Sequence, residues 1–240
     1  MTAHLAIPAT TYVLQKIIQE RLGLAYAAPL TAPTVSVAPP PRPPAVAAGG
    51  AAAQPEAAGL HLFLYHAAPN AAYRSMFEPH VSSAGKRIGP SPLAVDLHYM
   101  LAVTGADLER EALFGLGITA LTRHGIVPRK KITAILGALQ APPDPLQHLL
   151  DNLSIEPLAT QIEQITVSQA PVDVDLSTKI WSALQSPLRP AAYFLVTTVF
   201  LDVEETYAAG PAVQEAVVGV APGIEPGAVL DMLSTTGGPP

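Results

Sequence analysis

Residues 93–101 alternate with a period of two. Leu93, Val95, Leu97, Tyr99 and Leu101 fall on one side, and Ala94, Asp96, His98 and Met100 on the other. Successive side chains of a strand point to opposite faces. The segment therefore predicts a strand over 93–104 with one dry face and one face carrying a carboxylate and an imidazole. The strongest strand pattern is 193–203, with Tyr193, Leu195, Thr197, Val199, Leu201 and Val203 on one face. Residues 60–67 form a third strand, apolar on both faces and so suited to a central place. Residues 34–37 and 161–167 read as weaker strands.

Helical spacing runs over 10–22, where Val13, Leu14, Ile17, Ile18 and Leu22 make an apolar stripe. Thr10 stands where a residue can cap the start, and Gly23 where a left-handed residue can end it. Residues 107–124 are apolar nearly all round, from Leu108 through Leu113, Phe114, Leu116 and Ile118 to Leu121, with Asp107 as the candidate cap. Such a helix is expected to be buried on more than one side. Two further helices are predicted over 128–139, opening on Pro128, and over 175–185, carrying Leu176, Ile180, Trp181 and Leu184 and stopped by Pro187. This order predicts an α/β fold: one domain over 1–203 with a mixed, largely antiparallel sheet flanked by helices. Residues 204–240 read as a peripheral C-terminal segment in which Pro211 and Pro226 each open a short helix.

Two stretches break the pattern. Between 38 and 58 nearly every residue is proline, alanine or glycine, and Val46 is the one sizeable apolar group. Such an insert cannot bury enough surface to offset its ordering entropy. It reads as a tethering loop, or as an arm ordered by a neighbouring subunit. Residues 69–91 form a long irregular excursion, which inside a domain is usually functional or disordered.

Composition narrows the function. The 240 residues contain no cysteine, which removes disulfides, thiolate metal sites and a cysteine nucleophile. Net charge is −6, and the one basic cluster, Arg129-Lys130-Lys131, reads as a solvated helix start; no nucleic-acid partner is expected. Charged residues are only 13% of the chain against a usual ~25%. A surface so poor in charge suits burial against other subunits. The start of the chain lacks a basic region followed by an apolar run, and no stretch approaches the ~20 apolar residues of a membrane span. The expectation is synthesis in the cytoplasm without a signal peptide, and no membrane partner.

Candidate chemistry is sparse. Gly115-Leu116-Gly117-Ile118-Thr119-Ala120 matches a dinucleotide fingerprint but lies mid-helix, where small residues serve close packing. Asp96 and His98 share one strand face and offer an acid/base pair, two metal ligands, or simply a polar contact. His61 and His66 are five apart, so on an ideal strand they point oppositely. Nothing requires a catalytic residue, a cofactor or a metal.

Several segments recur together: Phe63-Leu64-Tyr65, Pro69-Asn70, the strand 93–101 with Asp96-Leu97-His98-Tyr99, Trp181-Ser182-Ala183-Leu184-Gln185 with Pro187, and 193–202. In this order the chain resembles the N-terminal domain of the cap proteins of contractile injection systems, of the antifeeding-prophage and virulence-cassette type, over about 8–203. The resemblance implies an architecture like phage tail terminators and a ring, a hexamer, at the end of the particle away from the baseplate. It implies contact with the last rings of inner tube and sheath, which ends polymerisation, in a particle that stays cytoplasmic or is released. It implies no catalytic residues. The expected contacts lie in the 69–91 excursion, with Pro69, Asn70, Tyr73, Arg74, Lys86 and Arg87, and in the insert, with Pro39, Pro40, Pro41 and Arg42. A sheet edge or arm is expected to pair with the tube by strand addition. Two rivals stand beside this reading: an adaptor that recruits effectors, and a hydrolase using Asp96 and His98.

Overall fold

The computed structural model describes residues 5–26, 30–42, 56–72, 80–81, 87–89, 93–138 and 164–201. Helix α1 (Ala6–Ala25) opens the chain, followed by β1 (Thr34–Ser36) and β2 (Gly59–Pro69). A short pair, β3 (His80–Val81) and β4 (Arg87–Gly89), precedes β5 (Leu93–Thr104). Then come α2 (Asp107–Arg123), β6 (Ile126–Pro128), α3 (Arg129–Gly137), β7 (Gln164–Gln169), α4 (Val174–Leu184) and β8 (Ala191–Leu201). The main sheet has six strands in the order β1-β2-β5-β8-β7-β6. Only β1 and β2 run parallel; every other pair is antiparallel. The mixed, largely antiparallel sheet is thus observed, with β5 at its centre as its apolar length requires.

The core divides by face. Leu60 and Leu62 of β2, Val95, Leu97, Tyr99, Leu101 and Val103 of β5, and Phe194, Val196 and Val199 of β8 pack with α1, α2 and α3. The other face buries Met100, Ala102 and Tyr193 beneath Trp181 of α4. Leu93 and the odd positions of β5 lie on the dry face as the alternation predicts. Met100, on the face expected to be polar, is fully buried because α4 covers that end of the sheet.

Several local expectations are corrected. The α1 helix starts at Ala6, so Thr10 lies inside it and donates back to the Ala6 carbonyl at 2.8 Å instead of capping. Pro8 is tolerated because the first-turn N–H groups have no intrahelical acceptor. Gly23 likewise lies within the helix and not beyond its end. The cap position of α2 is Ala106, and Asp107, with φ +51°, makes no capping bond. The α2 helix buries Leu113, Gly117, Ala120 and Leu121 against the sheet, while Leu108 is 77% exposed. It packs on α1 as well as on β2, β5 and β7, so it is buried on more than one side as expected, and its exposed part is the start at Leu108. In β8 the expected single face breaks: Tyr193 joins the α4 side, whereas Val199 joins the α1 side. A register shift between β5 and β8 at Val95/Leu97 causes the exchange. Strand β6, flanked by two helices, was not anticipated. The segment 204–240 lies outside the described residues.

Candidate functional site

The α4-side face of the sheet carries the polar residues singled out from sequence. Strand β2 holds an irregularity between Leu64 and His66, so that His66 rather than Tyr65 lies opposite His98. One extra residue in a strand re-aims every side chain after it. His61 is paired with Ala102 and His66 with His98, both on the α4 side, so the two histidines share a face. The expectation that they point oppositely is overturned by this bulge. The result is a small aromatic cluster: the His66 and His98 rings are 5.2 Å apart, Tyr65 is 6.0 Å from His98, and Tyr65 meets Tyr193 edge-on at 5.8 Å. The Tyr193 hydroxyl in turn shares a hydrogen bond with Ser177 of α4 at 2.8 Å.

Asp96 is occupied elsewhere. Asn70 donates its side-chain amide to the Asp96 carboxylate at 2.7 Å, and its backbone N–H bonds the Ala94 carbonyl at 2.9 Å. Its side-chain oxygen accepts from the Ala72 N–H at 2.8 Å. Asn70 therefore ends β2 and turns the chain, and Asp96 serves as its anchor. Among the described residues no hydrogen bond joins Asp96 to His98, and no hydroxyl is bonded to the His98 ring. Burial lowers the His98 pKa; the neighbouring His66 lowers it further, and the Asp96 carboxylate opposes both. Among the described residues no group of three histidine or acidic side chains stands close enough to hold a metal ion.

The expected contact residues separate into distinct environments. Pro69 ends β2, exposed, opposite Val95. Arg87 opens β4, paired with Val81. Tyr73, Arg74 and Lys86 lie outside the described residues. In the insert, Pro39 is exposed but Pro40 is buried. The Pro41 carbonyl accepts from the Ser186 hydroxyl and from Arg189 Nη2, each at 3.1 Å, and Arg42 Nε donates to the Leu184 carbonyl at 3.3 Å. Pro41 and Arg42 are thus engaged by the turn between α4 and β8 of their own chain.

Arg189 and Glu56 were not anticipated. Arg189 is only 9% exposed, the one buried charged residue among those described, and its fork meets both Glu56 oxygens. Its charge and that of Glu56 also act in opposite senses on His61, whose pKa is lowered chiefly by burial. The available signal was chemical: prolines lack N–H groups, so a proline run offers carbonyls that invite a donor from elsewhere.

No curated protein is significantly similar. Among solved structures the chain is similar to the sheath/tube terminator of PVC, an extracellular contractile injection system, in its extended state, with 15% identity and a TM-score of 0.47 over 88% of this chain and 64% of that one. It is also similar to the tube-terminating cap of the anti-feeding prophage, with 13% identity and a TM-score of 0.43 over 85% of this chain and 59% of that one. The chain spans less than two thirds of the length of either protein. The model of the Pvc16 N-terminal domain matches residues 9–215, nearly the whole described fold, and the chain belongs to that family.

Proposed function

We propose that this chain is the cap of a phage-tail-like contractile injection particle, closing the baseplate-distal end as a ring, a hexamer, that ends inner tube and sheath. The observation that carries this reading is membership of the Pvc16 N-terminal domain family across residues 9–215. The ordered segments that resemble such caps, from Phe63-Leu64-Tyr65 to the Trp181 helix, are the strands and helix of the central sheet. The role is non-catalytic: Asp96 anchors a turn and His98 faces another histidine.

The surface supports assembly. Leu24, Leu108, Val174 and Leu188 are 76%, 77%, 77% and 74% exposed. Apolar side chains in water, on a chain with few charges, gain from burial against other subunits. Obligate interfaces of this kind bury roughly 2,000 Å² or more. Strand addition has little edge to use. Strand β1 is three residues long, and its Val35 carbonyl already accepts from the Gln15 amide at 2.6 Å. The opposite edge, β6, ends in Pro128, which has no N–H to donate. Among the described residues the main sheet therefore favours contact with tube and sheath through side chains and loops.

Purified chain added to polymerising tube and sheath proteins tests the proposal. A cap arrests growth at one end when present at far less than one copy per tube subunit. Tubes that elongate unchanged at equimolar chain contradict it.

A further inference from the structure

The Pro/Ala-rich insert leaves β1 and returns to β2, and its two ends meet at one side chain. Arg189 uses all three guanidinium nitrogens. Nε and Nη2 donate to the two oxygens of Glu56, Nη2 also to the Pro41 carbonyl, and Nη1 to the Ser186 hydroxyl and the Pro187 carbonyl. Pro41 lies before the insert's central stretch and Glu56 after it. Neighbouring contacts fix both ends to the same chain. Arg42 bonds Leu184, Ser186 bonds Pro41, and the Thr104 hydroxyl donates to the Ala57 carbonyl at 2.8 Å. Gly105, with φ +125°, lets the chain pass Ala58; a Cβ there would meet the Ala58 Cα at 3.2 Å.

We propose that Arg189 is a clasp: one buried guanidinium holds the two ends of the insert, at Pro41–Arg42 and at Glu56–Ala57, against the α4–β8 turn of the same chain, so that both ends are anchored within one domain and not by a neighbouring copy. The physical case rests on burial. A charged group removed from water requires its partners in place, and the planar fork meets a carboxylate two-pronged in a way lysine cannot. The Glu56 side chain is 35% exposed and that of Arg189 7%, so the pair sits at the wall of the domain with its cationic half inside. Proline carbonyls supply acceptors that no helix or sheet has claimed. The inference depends on the geometry of one chain and not on the cap reading, and it stands or falls separately.

A glutamate-specific protease reads the clasp directly, because it must take the Glu56 carboxylate to cut between Glu56 and Ala57. In the full-length chain this bond is expected to be cut at least tenfold more slowly than in Arg189→Ala and Arg189→Lys. Cutting after Glu111 of α2, as internal reference, stays the same in all three. Protection is expected to be unchanged over a hundredfold dilution. Equal rates in all three chains overturn the proposal. So does protection that fades on dilution, since the guanidinium would then come from another copy. A rise shared by the Glu111 site also overturns it, since Arg189 would then support the fold at large and not the insert.

Discussion

The setting of His98 disfavours its charged form, so stability depends on pH. Burial lowers its folded pKa below the ordinary 6.5, with the facing His66 adding to the effect. His61 is lowered too, first by burial and then by Arg189. As pH falls, the unfolded chain takes up these protons before the folded chain does. Their contribution to stability is therefore complete above pH 6.5 and is lost as pH falls from there through the folded values. Thermal unfolding from pH 7.5 to 5 is expected to show a falling midpoint, and His98→Gln to flatten part of that fall. An equal slope in the variant would show that His98 carries none of it. The pairing behind this effect was hidden in the sequence. Asp96 and His98 could be placed on one face by alternation, but the bulge at Tyr65 that brings His66 to His98 has no period-two signature. Arg189 was hidden for a related reason: its partners are distant in the chain, and a lone arginine between Leu188 and Pro190 reads as a surface residue.

Helix α2 shows what the glycine pattern is for. A Cβ on Gly117 would stand 3.0 Å from Leu60 Cδ1 and from Leu101 Cδ2, whereas one on Gly115 would meet nothing within 4 Å. Gly117 lets the helix approach β2 and β5 closely, and Gly115 is open to solvent. Gly115→Ala is expected to stabilise the fold by about 0.5–1 kcal/mol, through helix propensity alone. Gly117→Val is expected to destabilise it by about 1–3 kcal/mol through overpacking. Chemical denaturation of both variants checks this, and equal effects at the two positions would contradict the packing account. At this scale the sequence was largely legible. The long strands and the four helices of the described residues carry strong periodicity, so their type was plain and their ends moved by a few residues. Strand β6 was missed because three residues, Ile126 to Pro128, carry no period and are set by pairing with β7. The burial of α2 between α1 and the sheet was legible in its apolar residues, whereas the exposure of Leu108 was not, because composition does not say which turn of a helix its neighbours cover.

At the scale of the molecule, a continuous sheet backed by three helices on one face and by α4 on part of the other makes a stiff wall with blunt edges. In the proposed cap role such a wall would offer a fixed surface to the last ring, and the main-sheet edges among the described residues would offer little for further pairing. The fold class and the family resemblance could be read from the ordered segments, since these are the buried strands and the Trp181 helix. The contact surface could not, because it depends on how copies meet. The most direct test is electron microscopy of particles from cells that make the injection system but lack this chain, scored for tube and sheath length. The account predicts over-long, ragged or unsheathed particles, restored to a narrow length distribution when the chain is supplied again. Intact sheathed particles of normal, uniform length without the chain would contradict it.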